Sequence, residues 1–171
     1  MKIEVEKLTD VSLLKKCMKH IFGVDVKARL GKWYDSGHSP ARTQMFAIYC
    51  EDIPYCVCMQ MRTHDKNGAL FLVESGRPDT GSAKKHDRMA PRKMFIMCNA
   101  QHLIDWSHKR MCMKAEIYTR NFLDMLKEKI MKVDEELAMC LEPMCSYRGG
   151  LCGEFKPCGL NVAYKGLENE Q

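Results

Sequence analysis

Apolar and polar residues alternate at the start of the chain and then change to a helical spacing. Residues 2–6 alternate as in an edge strand of a sheet. Thr9 and Asp10 then offer a helix cap, and apolar residues recur at three- and four-residue steps from Val11 until Gly23, a common helix end. The pattern therefore predicts an edge strand followed by a helix.

The middle of the chain begins with a run that is apolar on both faces, residues 45–50, which predicts a buried strand. Residues 52–54 are expected to turn the chain, and Pro54 can open a helix that leads to Arg62. Loops are predicted after this helix, with a short apolar run at 69–73. A basic stretch follows that is typical either of a solvated surface or of a phosphate-binding loop, and it contains Lys84, Lys85, His86, Arg88, Arg92 and Lys93.

The most regular pattern lies between residues 99 and 140. Its apolar residues follow three- and four-residue steps, which predicts one long helix or two, with charges on the other face. Cysteines then occur among glycines and prolines. We therefore expect a single domain over 1–171, made of an α/β core at 1–140 and a cysteine-rich segment at 141–171.

Composition narrows the class of protein. The 171 residues are 46% hydrophobic and 29% charged, enough for one buried core. No apolar run is long enough to cross a membrane, and the first residues lack the apolar region of a signal peptide. We therefore expect a cytoplasmic protein with no membrane partner and with free thiols at its ten cysteines. The formal charge of +5 is small for a dedicated nucleic-acid binder, so no direct nucleic-acid partner is expected.

Arginines are the first candidates for function. Five of them come from separate predicted elements, each near a turn or a small polar residue: Arg62, Arg77, Arg88, Arg110 and Arg120. A planar guanidinium binds phosphate through two parallel hydrogen bonds, so arginines that converge form a nucleotide or phosphate site. Arg110 and Arg120 lie on an otherwise apolar helical stripe, where a structural ion pair is the alternative.

Cysteines are weaker candidates. In the series at 140, 145, 152 and 158 only the first gap comes close to the ligand spacing of zinc sites, so free thiols compete with a zinc-stabilised interaction protein. Cys56 and Cys58 precede Arg62, whose charge can lower a thiol pKa and create a nucleophile; buried thiols are the alternative. The sequence contains no glycine-rich dinucleotide motif, no P-loop and no nucleophile elbow.

The order and spacing of several short motifs resemble those of the flavin-dependent thymidylate synthases. A segment with the family's Ser-Pro lies at 37–43, a helix follows that ends in Gln-x-Arg-x-His at 60–64, and Glu-Ser-Gly-Arg stands at 74–77. Arg88 then precedes a proline, and an asparagine at 99, an aspartate at 105 and an arginine at 110 follow with the family's spacing. Each motif alone is weak, and the resemblance depends on their order.

The resemblance implies an α+β fold of the thymidylate-synthase-complementing type, with a mixed sheet packed against long helices. It also implies a homotetramer with active sites shared between subunits and a site for a deoxynucleoside monophosphate. The implied substrate-binding residues are Arg62, Glu74, Ser75, Gly76, Arg77, Arg88 and Arg110. We expect Ser75 and Cys58 to be catalytic.

The residues that the resemblance assigns to the flavin cofactor are changed more than those of the substrate. The implied positions are His38, Ser39, His64, Asn99, Gln101 and Asp105. Gln101 stands where the family has an arginine, and Asp105 where it has an asparagine. Each lost charge-assisted hydrogen bond weakens binding by about 1.5–3 kcal/mol, and more than one is lost here, so a weakened FAD site and a lost FAD site are both open at this point.

This difference suggests a specific reaction. The enzyme would transfer a one-carbon unit from methylenetetrahydrofolate to C5 of dUMP or dCMP and end with water, which gives a 5-hydroxymethyl pyrimidine. Activation of C5 needs a nucleophile at C6, for which Cys56, Cys58 or Cys98 is available. The alternatives are a non-catalytic nucleotide-binding protein and a zinc-stabilised interaction protein. Such an enzyme would suit a virus that modifies its DNA, in which case the compartment is the host cytoplasm.

Overall fold

The computed structural model describes residues 1–25, 27–63, 65, 68–76 and 87–159, and four strands form its sheet. The strands are β1 (Lys2–Lys7), β2 (Met45–Pro54), β3 (Leu70–Val73) and β4 (Pro91–Asn99), and they lie in the order β1-β2-β4-β3. The predicted α+β class is confirmed. The described strand pairs, β1–β2, β2–β4 and β4–β3, are all antiparallel, so the sheet is antiparallel rather than mixed.

Helices surround one face of this sheet. In the described part of the chain the α-helices are α1 (Val11–Phe22), α2 (Leu30–Asp35), α3 (Tyr55–Thr63), α4 (Ala100–Arg110), α5 (Ile117–Val133), α6 (Glu135–Cys140) and α7 (Met144–Tyr147). A 3₁₀ helix spans Ser39–Thr43. α3, α4 and α5 contact the inner face of the sheet, where Phe46, Ile48 and Ile96 are fully buried. On the outer face Tyr49 and Leu72 are 44% and 58% exposed.

The two N-terminal elements have the predicted form. β1 pairs with β2 at the edge of the sheet. α1 begins after Asp10, whose carboxylate accepts a hydrogen bond from the Ser12 backbone N–H at 2.6 Å. It ends at Gly23, where φ is 67°, a left-handed conformation that glycine adopts at little steric cost.

β2 continues beyond the predicted buried strand. The turn predicted at 52–54 is instead a β-bulge between Cys50 and Ile53, where Asp52 has a φ of 56°. The bulge takes up one extra residue of β2, which then pairs with β4 again as far as Pro54. α3 begins at Tyr55, in agreement with the helix predicted to lead to Arg62.

β4 was not predicted, because its first residues belong to the basic stretch that suggested a loop. Its side chains alternate between an exposed and a buried face, with Arg92, Met94 and Cys98 on the buried one. Lys93 points to the exposed face. The basic stretch therefore places an arginine inside the protein and its neighbouring lysine in solvent.

The helical pattern at 99–140 forms three helices rather than one or two. Glu116 caps α5, since its Oε2 accepts a hydrogen bond from Thr119 N at 3.0 Å. Asp134 caps α6 through Leu137 N, also at 3.0 Å. Both carboxylates satisfy backbone donors at a helix start, so they interrupt a helix that the apolar spacing alone would continue.

A buried carboxylate connects the sheet to two helices. Asp134, only 7% exposed, accepts hydrogen bonds from Lys7 Nζ and from the Tyr34 hydroxyl, each at 2.7 Å. Burial, reinforced by the bond to Asp134, raises the pKa of the Tyr34 hydroxyl, so the phenol stays protonated and donates. This contact fixes α2 and the start of α6 against β1.

Candidate functional site

A cavity of about 430 Å³ lies between α3, the end of β3 and the start of β4. Its lining consists of Tyr55, Met59, Arg62, Val73, Glu74, Ser75, Gly76 and Arg92. Arg62 and the segment 74–76 come from separate parts of the sequence, and both were predicted to bind substrate. The structure therefore brings these predicted residues together in one place.

One wall of the cavity is a face of α3. Tyr55, Met59 and Arg62 follow steps of four and three residues, which places them along one side of a helix. The opposite side carries Val57 and Met61, which are fully buried in the core and hold α3 on the sheet. The wall thus presents an aromatic ring, a thioether and a guanidinium group to a ligand.

The opposite wall is the segment that follows β3. Glu74 N donates to Lys93 O at 2.9 Å, and Lys93 N donates to Glu74 Oε2 at 3.1 Å. These bonds fasten the segment to β4 and bring Ser75 and Gly76 into the lining of the cavity. Hydroxyl and backbone N–H groups in such loops are common ligands of anions.

Tyr55 and Arg92 are lining residues that were not among the predicted substrate-binding residues, although Arg92 belongs to the basic stretch considered for phosphate binding. Arg92 is 2% exposed, and its Cζ lies 5.5 Å from the centroid of the Tyr55 ring, a cation–π arrangement. The signal was present, because Arg92 is in phase with Met94 and Cys98 in an alternating run, and a strand assignment would have placed it on the buried face. The described lining residues thus include two arginines and one acidic residue, Glu74.

The other predicted substrate arginines lie elsewhere or outside the described residues. Arg88 is exposed, and its carbonyl accepts a hydrogen bond from Cys56 N at 2.8 Å at the start of α3. Arg110 lines a different cavity of about 490 Å³ that has no described residue in common with the first. Arg77 lies outside the described residues. Arg120 donates to a backbone carbonyl in the loop before α5 at 3.0 Å, a structural contact.

The cysteines considered as nucleophiles lie in the core. Cys58 is fully buried, and burial raises the pKa of its thiol to about 11. Cys56 and Cys98 are also buried, and burial raises the pKa of both thiols. A protonated thiol that is absent from the described lining of the cavity does not suit attack on a substrate, so the expected role of Cys58 is not supported by its position. All ten cysteines are free thiols, as predicted.

Three of the residues expected to hold a flavin bond to their own helix. Asn99 caps α4, since its Oδ1 accepts a hydrogen bond from His102 N at 3.2 Å. Gln101 Nε2 donates to Asp105 Oδ1 at 2.9 Å. A flavin dinucleotide needs donors for its ring and its two phosphates, whereas here an amide donor is engaged and a carboxylate stands beside it. These residues do not fit FAD.

The remaining flavin positions lie near the 3₁₀ helix or outside the described part of the chain. The His38 ring contacts Trp33 edge-on, with centroids 5.9 Å apart, and both line a small cavity of about 260 Å³. Ser39 follows at the exposed start of the 3₁₀ helix. His64 lies outside the described residues. The described structure thus does not gather the flavin positions around one cavity.

The described residues were also compared with the requirements of a metal site and of a membrane-spanning helix. Among residues 1–25, 27–63, 65, 68–76 and 87–159, no group of three or more His, Cys, Asp or Glu side chains is placed to hold a metal ion. Cys145 and Cys152, from the series considered for zinc, line the cavity of Arg110. None of the described helices has the length and apolar character that a bilayer span requires.

Known proteins resemble this chain in fold rather than in sequence. No protein-family model matches the chain, and no curated protein matches it. The flavin-dependent thymidylate synthase ThyX from Helicobacter pylori, complexed with FAD and dUMP, is similar with a TM-score of 0.66 at 9% identity, over 83% of this chain and 98% of that one. Another structure of ThyX from this organism, with FAD and dUMP, gives 0.63 at 10% identity over 82% and 98%.

A methylase shares the fold as well. The UMP/dUMP methylase PolB from Streptomyces cacaoi, bound with 5-Br dUMP, has a TM-score of 0.57 at 10% identity, over 81% of this chain and 94% of that one. At such identities the similarity concerns the fold alone. It agrees with the fold that the motif order implied, and the chain therefore has a ThyX-like fold.

Proposed function

We propose that this protein binds a deoxynucleoside monophosphate, dUMP or dCMP, beside α3 and transfers a one-carbon unit to C5 of its base. The observation that carries the proposal is the meeting of Arg62 with the segment 74–76 around a cavity of about 430 Å³. Similar structures contain dUMP or its 5-bromo derivative, which supports a ligand of this class.

The cavity has the size and the groups that a nucleotide needs. Its volume lies within the range of about 300–1,000 Å³ that is common for small-molecule sites. A guanidinium at Arg62 can bind phosphate or carbonyl oxygens through paired hydrogen bonds. The Ser75 hydroxyl and the Gly76 backbone supply further donors, and the Glu74 carboxylate can accept a hydrogen bond from a base N–H.

Methylenetetrahydrofolate is the carbon donor in this proposal, and no step passes through a flavin. A nucleophile adds to C6, one of the two bonds between the methylene carbon and the folate nitrogens opens, and C5 attacks that carbon. Loss of the C5 proton then breaks the second carbon–nitrogen bond, releases tetrahydrofolate and leaves an exocyclic methylene at C5. Water adds to this methylene carbon, and departure of the C6 nucleophile restores the C5–C6 double bond, which gives the 5-hydroxymethyl nucleotide. No electrons are exchanged, so no reductant is required. Ser75 is assigned the attack at C6, because its hydroxyl lines the cavity while Cys58 lies in the core.

We propose that Arg110 contributes to the nucleotide site of a neighbouring subunit. Its cavity is separate from that of Arg62 within one chain, so a shared site requires Arg110 of one subunit to reach the cavity of another. We propose a homotetramer on this basis and on the motif resemblance. Mixed assemblies of inactive Arg62→Met and Arg110→Met chains would then recover part of the activity, because some sites receive both intact residues.

The reaction is tested with the purified full chain. Incubation with dUMP or dCMP and methylenetetrahydrofolate is followed by mass spectrometry of the nucleotide, and a gain of one CH₂O unit is the expected result. Thymidylate formed only after addition of FAD and a reductant would contradict the flavin-free reaction. Saturable nucleotide binding with no product under either condition would instead favour a non-catalytic binding protein.

A further inference from the structure

Arg92 is a charged residue in a place where charges are rarely found. It is the second residue of β4, its side chain lies on the sheet face that packs against helices, and it is 2% exposed. A guanidinium removed from water is unfavourable unless nearby groups compensate for the lost hydration. The Tyr55 ring supplies part of that compensation at 5.5 Å. Arg92 also lines the candidate site, where an anionic ligand would further compensate for the lost hydration of its guanidinium group.

Arg92 and Arg62 reach the cavity at opposite ends of α3. Arg92 packs on Tyr55, the first residue of the helix, and Arg62 is the last residue but one. With a rise of about 1.5 Å per residue, the two ends are about 10 Å apart. This separation is comparable to the distance from the phosphate to the far edge of the base in a nucleoside monophosphate.

The two ends of α3 differ in their electrostatic preference. A helix carries a partial positive charge at its N-terminus and a partial negative charge at its C-terminus. Near the N-terminal end the charges of Glu116 and Arg88 both act on Cys56, in opposite directions. Arg92 and the helix field thus favour an anion at the Tyr55 end, which leaves Arg62 to face the carbonyl oxygens of the base.

We propose that Arg92 is a substrate-binding residue that holds the phosphate of the nucleotide. The identity of the nucleotide rests on the proposed function, whereas the assignment of Arg92 rests on its burial and on the geometry of α3. Tyr55 is a positioning residue in this arrangement, since its ring holds the guanidinium beside the cavity.

Isothermal titration calorimetry of the full chain with dUMP and with deoxyuridine, which lacks the phosphate, tests the assignment. Arg92→Met is expected to weaken dUMP binding by about 10- to 100-fold, the loss of a charge-assisted hydrogen-bonded contact, and to leave deoxyuridine binding within about twofold. Arg92→Lys keeps the charge without the paired donors, so its affinity for dUMP should lie between those of the wild type and Arg92→Met. Arg29→Met, which removes an exposed arginine on another element, is the matched control.

The outcomes separate the roles of the residues. Equal weakening of dUMP and deoxyuridine by Arg92→Met, or no weakening of either, would overturn the assignment. Tyr55→Leu should reduce the preference for dUMP over deoxyuridine, and Tyr55→Phe should restore most of it, since the ring rather than the hydroxyl faces the guanidinium. If Arg92→Met fails to fold by circular dichroism, Arg92→Lys and the Tyr55 pair decide the question by the same ratio.

The assignment can also be tested apart from the nucleotide. If the wild-type chain binds neither dUMP nor dCMP, the proposed function fails, and inorganic pyrophosphate becomes the probe. A rise in melting temperature with pyrophosphate that is clearly smaller for Arg92→Lys than for the wild type would then support an anion site at Arg92. An equal rise in both proteins, or none in the wild type, would contradict it.

Discussion

The substrate side and the flavin side of the motif resemblance have different structural roles in this chain. Arg62 and Ser75 meet around a cavity, although their sequence positions lie in a helix and in a loop. On the other side, Gln101 and Asp105 bond to each other and Asn99 caps α4. A residue that matches a motif can thus serve only to cap a helix. Convergence around a cavity is therefore a better sign of a binding site than a match to a motif.

The largest expected effect is a loss of stability when Asp134 is replaced, because this carboxylate holds α2 against the sheet on the flavin side. Asp134→Ala leaves the half-buried Lys7 ammonium and the buried Tyr34 hydroxyl without their acceptor, so the free energy of unfolding should fall by about 3 kcal/mol. α2 and the neighbouring 3₁₀ helix depend on this contact, whereas the lining of the candidate site does not include it. The remaining folded protein should therefore bind dUMP with unchanged affinity.

Urea unfolding and calorimetry measure these two quantities. Glu51→Ala is the control, because it removes exposed ion pairs with two lysines and should cost about 0–1 kcal/mol. A parallel loss of stability and dUMP affinity in Asp134→Ala would show that the two sides of the molecule are coupled.

A matched pair of arginine substitutions compares the two sides directly. Arg62→Met removes a guanidinium from the cavity and should weaken dUMP binding by about 10- to 100-fold. Arg42→Met makes the same change at an exposed position of the 3₁₀ helix, on the flavin side, and should alter dUMP binding less than about twofold. Calorimetric titration gives both values, and similar losses in the two variants would remove the distinction between the sides.

Buried thiols predict a decline of stability at alkaline pH. Burial raises the pKa of Cys50 to about 12 and that of Cys58 to about 11, from an ordinary value of 9.0. Above pH 9 the unfolded chain releases these protons while the folded chain retains them. The free energy of unfolding should therefore fall as pH rises from 9 through 11, by up to about 1.4 kcal/mol per pH unit for each thiol.

Urea unfolding at several pH values checks this decline. In Cys58→Ala the contribution of this thiol is absent, so the free energy of unfolding should fall less steeply with pH than in the wild type. Iodoacetamide at pH 8 should also modify the exposed Cys158 and spare Cys58 in the folded protein. Rapid modification of Cys58, prevented by dUMP, would return this residue to the list of possible nucleophiles.

The smallest effect is expected on α4. Gln101→Ala removes a side-chain bond between neighbouring turns of one helix and should cost a few tenths of a kcal/mol, about 0.2–0.5. Its dUMP affinity should match that of the wild type. An absorbance spectrum of the purified wild type complements this test, since a flavin band that Gln101→Ala weakens would contradict the structural role given to this residue.

Local signals explain which parts of the fold could be predicted from the sequence. α1 was predictable because Asp10 and Gly23 mark its ends, and both act through neighbouring backbone groups. β4 was missed because Arg92 and Lys93 resemble a loop, although Arg92 is in phase with the apolar residues of an alternating run. The contact of Arg92 with Tyr55 helps to compensate for its burial. That contact joins residues far apart in sequence, so it could not be read from the local pattern.

The site was predictable in part for the same reason. Motif order indicated that Arg62 and the segment 74–76 belong together, and the structure places them around one cavity. The position of Arg110 in a different cavity depends on how α4 packs against the C-terminal segment, which the spacing of residues does not encode. Likewise, the burial of Cys58 depends on which face of α3 meets the sheet.

The bulge at Asp52 adds one residue to β2 without changing which side chains face the core. Cys50 pairs with Met94 and Ile53 pairs with Arg92, so three steps along β2 match two along β4. Glu51 and Asp52 are both exposed, whereas Cys50 and Ile53 are both buried. The extra residue is thus absorbed on the solvent side before α3 begins at Tyr55. Deletion of Asp52 should leave a regular strand with the same pairing at Pro54, and Tyr55 and Arg62 should keep their places at the cavity.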